Sequence, residues 1–139
     1  DKGEDVVKYA AAGIIDKIRD ITVFLNTTEA SYRRFGNNTA PNKINWSSMA
    51  ESELMYIETY KDKTRVELRS PDASSIPYLV YALLIYAGLE GIEKKLSLPE
   101  KMKEGGMLPK SRKEAVRIAE ESEFVQRILP KEIVDEYIL

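Results

Sequence analysis

The sequence predicts an α+β fold: a small antiparallel sheet flanked by helices, with a buried apolar helix and a C-terminal helical segment. Three observations carry that prediction. Residues Arg65-Val-Glu-Leu-Arg69 alternate polar and apolar, the two-residue period of a strand with one face on a core. The run from Ile76 to about Lys94 is apolar nearly all round, which places a helix in the interior as a spine. From Ser111 onward, helix-starting and helical patterns recur to the last residue.

The chain has 139 residues, enough for one domain over 1–139, and 43% of them are hydrophobic, enough for a core. A net charge of -2 gives no broad attraction for nucleic acid. There is no histidine and no cysteine. This excludes a disulfide framework, the usual zinc sites, and Ser-His or Cys-His catalysis. A metal ion would have to be held by carboxylates, which favours magnesium or manganese. The apolar run Ile76 to Leu89 is too short to span a membrane, and no signal peptide is visible. No membrane partner and a cytoplasmic location are therefore expected. The chain opens on Asp1 rather than methionine, as a cut or trimmed product would. There is no P-loop, no G-x-G-x-x-G and no internal repeat.

In chain order, Val6, Ala10, Gly13, Ile14 and Ile18 fall at helical spacing, and Val7, Ala11 and Ile15 widen the stripe. They predict a helix from Asp5 to about Asp20, with Asp5 in its first turn and Lys17 and Arg19 near its far end, as the helix dipole prefers. Ile21 to Leu25 either continues that helix or begins a strand. Gly36 to Pro41 is turn-rich and reads as a mobile loop. Lys43 to Ser48 alternates as a strand, with Trp46 a core or edge packer. Leu54 to Tyr60 alternates too, and pairs with Arg65 to Arg69 through Lys61-Asp-Lys-Thr64, a hairpin by its spacing.

On the last of these strands, Arg65, Glu67 and Arg69 share one face, and Val66 and Leu68 the other. The polar face fits an exposed salt-bridge ladder. It equally fits a site for a polyanion and a divalent cation, because guanidinium forks bind phosphate or carboxylate and glutamate is a hard oxygen ligand. Spacing alone leaves both open. Pro71 and Asp72 end the strand. Ser75 offers a cap for the apolar helix, and Pro77 falls in its first turn, where a missing N–H costs little. Glu93 to Pro99 ends the helix in a linker, and Lys101 to Pro109 is a loop. Ser111-Arg-Lys-Glu114 is a capping box. Short helices are predicted over Glu121 to Leu129 and Lys131 to Leu139.

The run R-V-E-L-R-S-P-D-x-S-x-x-P-Y-L-x-x-A-L-L-x-Y-A-G-L-E-G-I-E resembles the C-terminal part of the catalytic domain of glutamine synthetase, and a weaker likeness extends to Asp5 and to Leu139. The resemblance implies an ATP-dependent ligase that joins ammonia to glutamate, with ATP and Mg2+ or Mn2+ as cofactors. The implied partners are a small-molecule substrate and a missing N-terminal half or neighbouring subunit; a monomer or small oligomer is expected of this piece. By motif matching, Arg65 would touch ATP phosphate, Glu67 would hold a metal ion, and Arg69 would reach substrate. Asn26 to Phe35 is similar to the family segment N-P-T-x-N-S-Y-K-R, which gives Arg34 the grip on the substrate carboxylate.

The likeness has departures. Thr39 stands where the family's flap carries a glutamate, and threonine lacks a carboxylate to act as a base, so no catalytic residue is assigned here. Glu51 and Tyr56 stand where the family has arginines, and Glu58 where it has proline. Exchanging a phosphate-binding cation for an anion opposes ATP. Two expectations follow: a ligase segment inactive alone, or a degenerate, non-catalytic relative acting as a structural or regulatory partner.

Overall fold

The computed structural model describes residues 2–38, 40–49, 52–101 and 105–138. They form α1 (Lys2–Leu25), α2 (Glu29–Arg34), β1 (Trp46–Ser47), β2 (Met55–Tyr60), β3 (Lys63–Leu68), α3 (Pro77–Glu93), α4 (Arg112–Glu121), α5 (Glu123–Ile128) and α6 (Lys131–Ile138). The α+β class predicted from sequence is the class observed. No helix among the described residues is long and apolar enough to cross a membrane.

Helix α1 is the scaffold. It runs past the predicted end at Asp20, because Ile21, Val23, Phe24 and Leu25 are needed in the core and a helix buries them together. Its buried Thr22 hydroxyl donates back to the Ile18 carbonyl at 2.6 Å, so no polar group is stranded there. Ile18, Ile21 and Phe24 pack with Leu83 of α3, Ala115 of α4 and Phe124 of α5 in one core. Helices α1 and α3 cross at Gly13 and Gly91, where the backbones nearly touch. A Cβ on Gly13 would lie 2.2 Å from the Ala87 carbonyl oxygen, and one on Gly91 would lie 2.2 Å from that of Tyr9.

The sheet is mixed rather than antiparallel throughout. Strands β2 and β3 form the predicted hairpin, with Tyr56 opposite Glu67 and Glu58 opposite Arg65. Its turn is tighter than the four residues expected: Lys61 and Asp62 alone connect the strands, with Lys61 in the left-handed region at φ 54°. Strand β1 runs parallel to β2 rather than forming a hairpin with it. The predicted strand over 43–48 shortens to Trp46–Ser47, and Lys43 instead bridges Met107. Met55 and Ile57 face α1 at Ala11, with Trp46, Val66 and Leu68 packed around them.

Two local expectations are corrected at α3. Ser75 does not cap it: the Ser75 hydroxyl donates to the Asp72 carbonyl at 2.8 Å, and the helix opens at Pro77 without a side-chain cap. Nor is α3 buried all round. Leu79, Val80, Leu83 and Ala87 are buried, while Tyr78, Tyr81, Ile85, Tyr86 and Leu89 are half or more exposed. An all-apolar helix was read as interior, but α1 covers only one side of it.

The closing helices follow their start signals. The Ser111 hydroxyl accepts from the Glu114 N–H at 3.1 Å. The Glu114 carboxylate reaches one residue further back than a capping box requires, and accepts from the Lys110 N–H at 2.9 Å. The stretch over 121–129 breaks at Ser122, which caps α5 by accepting from the Val125 N–H at 3.2 Å. Tyr137 of α6 rests against Phe24 of α1 with ring centres 5.6 Å apart.

A buried carboxylate ties three helices together. Glu90 of α3 lies 2.6 Å from Lys94, 2.9 Å from Arg127 of α5, and 3.7 Å from Lys17 of α1. The Lys94 hydrogen bond, with Arg127 and Lys17 behind it, holds the Glu90 carboxyl down at about 2.

Candidate functional site

The outer face of the β2–β3 hairpin assembles the predicted strand residues. Alternation puts Val66 and Leu68 on the core side and leaves Arg65 and Glu67 exposed on the other. The Arg65 guanidinium lies 3.1 Å from the Glu58 carboxylate across the ladder, with the two side chains 65% and 43% exposed. It also stands 5.8 Å from the centre of the Tyr56 ring. Partial burial first, and then the Glu58 charge, push the Tyr56 phenol above its ordinary range. Glu67 is half exposed, and its carboxylate sits 3.8 Å from Nε of Arg69. Arg69 lies one residue past the end of β3. Its backbone N–H donates to the Leu54 carbonyl at 2.9 Å, and its guanidinium donates to the Glu53 carbonyl at 3.4 Å.

Arg34 reaches the backbone just past the same strand end. Its Nη2 donates to the Ser70 carbonyl at 2.5 Å, and its guanidinium stands 5.5 Å from the Phe35 ring centre. The Ser70 carbonyl also accepts from the fully buried Asn26 amide at 2.7 Å. Asn26 belongs to a polar brace that the sequence reading did not single out. The Tyr32 hydroxyl donates to the Asn26 carbonyl at 2.7 Å, and burial pushes its pKa up. Burial raises the Asp72 carboxyl too, but donors from Ser31, Ser74 and Asn26 outweigh it and hold that group below its usual range. This brace fixes the turn after β3, and with it the position of Arg69.

The structure therefore brings Arg65, Glu67 and Arg69 onto one strand end and anchors Arg34 to the adjoining carbonyl. Of the residues marked as departures, Tyr56 and Glu58 lie on the same face; Thr39 and Glu51 lie outside the described residues. Glu58 was read only as a missing proline. The hairpin register makes it the ion-pair partner of Arg65, a consequence that counting back from the turn would have given.

The described residues do not by themselves fit a divalent cation. No group of three or more Asp, Glu, His or Cys among them could hold one. Glu67 is one carboxylate, and its nearest charged neighbour is a guanidinium.

The protein is a small α+β unit with Arg65 and Glu67 on its exposed edge strand and Arg69 just past the strand's end. The family model for the glutamine synthetase catalytic domain matches residues 1–139. The chain is 34% identical to the glutamine synthetase of Methanosarcina mazei, over 94% of this chain and 33% of that protein. It is 32% identical to that of Mycobacterium tuberculosis, over 96% of this chain and 34% of that protein. The glutamine synthetase of Clostridium saccharobutylicum is 33% identical, over 91% of this chain and 32% of that protein. The chain belongs to the glutamine synthetase catalytic-domain family. It spans about a third of the length of the curated relatives it matches.

Proposed function

We propose that residues 1–139 form a single domain corresponding to the C-terminal part of a glutamine synthetase-type catalytic unit, and that it contributes the outer face of β2–β3 to an ATP-dependent ligase centre. The observation that carries this reading is the placement of Arg65 and Glu67 on the exposed face of β3, with the largely covered Arg69 just past the strand end and 3.8 Å from Glu67. In this reading Arg65 orients a nucleotide phosphate, and Arg69 and Arg34 hold the carboxylate of a small amino-acid substrate. Glu67 supplies a single ligand toward Mg2+ or Mn2+, whose remaining ligands come from a partner, either the rest of the catalytic unit or a neighbouring subunit. The unit works in the cytoplasm.

Phosphoryl transfer depends on cations placed around the transferring group. The Arg65–Glu58 pair does not forbid this, because an exposed pair is worth no more than about 1 kcal/mol and a polyphosphate can displace it. The same pair, which sets a carboxylate against the phosphate-facing guanidinium, favours a second reading: a degenerate relative that keeps the fold and serves as a structural or regulatory partner.

Calorimetric titration of Mg-ATP into the chain separates the two. The ligase reading expects saturable heat, on the order of millimolar affinity, that disappears in an Arg65→Ala, Glu67→Ala double variant. The same heat in the double variant removes the nucleotide role of this strand. Absence of saturable heat ends any claim that residues 1–139 bind nucleotide alone, and leaves a site completed by the rest of the catalytic unit or the non-catalytic reading.

A further inference from the structure

We propose that the exposed stripe of α3, centred on Tyr81 and Ile85, is a docking surface for the portion of a glutamine synthetase-type catalytic unit that lies outside these residues. This inference rests on the reading above. No charged residue occurs from Pro77 to Leu89. Tyr78, Tyr81, Ile85 and Leu89 recur at intervals of three and four residues, so they line one side of the helix. They are exposed by 86%, 63%, 60% and 50%. The opposite side is already committed: Leu79, Val80, Leu83 and Ala87 are buried, and Gly88 and Gly91 let α1 approach closely. A surface helix of a self-sufficient unit carries charges on its solvent side. A helix apolar on both sides belongs in a middle layer, between α1 and something else.

The length of the relatives says what that something is. The match covers 33% of the Methanosarcina mazei protein, so about twice as much polypeptide again lies outside the matching segment there and is available to cover this face. The chemistry of the stripe describes the facing surface. Two of its four residues are tyrosines, with Tyr86 beside them, and flat rings ending in a hydroxyl suit an apolar centre with hydrogen-bond acceptors at its rim. At the C-terminal end the stripe runs into a groove where Leu89 and Ile128 meet Glu93, Glu123 and Arg127. A partner with an apolar ridge and charges at one end fits that surface in one orientation.

The test replaces the matching third of the Methanosarcina mazei protein with this chain and compares hydroxyl-radical labelling of Tyr78, Tyr81 and Tyr86 in the chimera and in the free chain. The expected result is strong labelling in the free chain and a several-fold loss in the chimera. Ile85→Lys should then lower the melting temperature of the chimera and leave that of the free chain unchanged, since Ile85 is exposed there. Equal labelling in the two proteins overturns the proposal, as does a chimera that does not fold. Weak labelling in a free chain that self-associates, relieved by Ile85→Lys, assigns the face to a second copy and overturns it as well. The Mg-ATP titration, repeated on the chimera, reads a different face. Protection of the tyrosines with no nucleotide binding keeps the docking surface and removes the ligase reading; binding without protection does the reverse.

Discussion

Glu58 and Glu90 are both glutamates paired with cations, and their surroundings give them opposite weights. Glu58 is open to solvent and meets Arg65 at 3.1 Å, an arrangement worth little in stability. Its effect is on what Arg65 has free to bind. Glu58→Gln removes the competing carboxylate and should raise Mg-ATP affinity by up to about fivefold, measured by calorimetry, with hardly any change in melting temperature. Glu90 is enclosed, with its side chain 10% exposed among Lys94, Arg127 and Lys17. Its pKa falls from 4.5 to about 2, so its contribution is present in full above 4.5 and fades as pH drops toward 2. Glu90→Gln should destabilise the chain by about 1–2 kcal/mol at neutral pH, and the gap to the parent should close on acidification through that window, read by urea unfolding at several pH values. The glutamates of α3 were legible as charges in the sequence. That Glu90 is an internal tie could not be read there, because Lys17 and Arg127 come from distant parts of the chain.

Elements differ in how much of their placement is local. The β2–β3 hairpin was readable because period-two alternation lies within the strands themselves, and the face carrying Arg65 and Glu67 came out as expected. The α4 and α5 starts were readable for the same reason: Ser111 and Ser122 cap through N–H groups three residues away. Ser75 showed the same signal and failed, because Asp72 takes its hydroxyl into the turn after β3. Strand β1 was placed too long and in an antiparallel sheet, whereas it pairs parallel to β2, which is reached through an intervening segment that no local pattern describes. The α1–α3 crossing is also non-local, and it gives a sharp expectation. Gly13→Ala drives a methyl into the Ala87 carbonyl, a backbone atom that cannot rotate away. The loss should be about 3 kcal/mol or more, seen as a lowered urea midpoint, whereas Ala substitution at Gly88, where a Cβ would meet its nearest neighbour at 3.5 Å, should be tolerated.

At the scale of the molecule, the fold class and the family were both legible, because the Arg65–Glu93 run holds an unusual ordered set of residues. The exposure of α3 was not. Composition says that a helix is apolar, and it does not say whether the covering layer lies within the same 139 residues. The candidate site is likewise a partial one, Arg65 and Glu67 on the strand and Arg69 just past it, with Asn26 and Arg34 bracing the Ser70 carbonyl that follows. The central claim is that this strand end is a nucleotide-facing surface. An amide NMR titration with Mg-ATP tests it most directly, because it locates binding as well as detecting it. The account predicts shifts that saturate over Lys63 to Ser70 and Glu58, and that vanish in the Arg65→Ala, Glu67→Ala variant. Shifts that stay linear with ligand, or that cluster on other elements and persist in the variant, would contradict it.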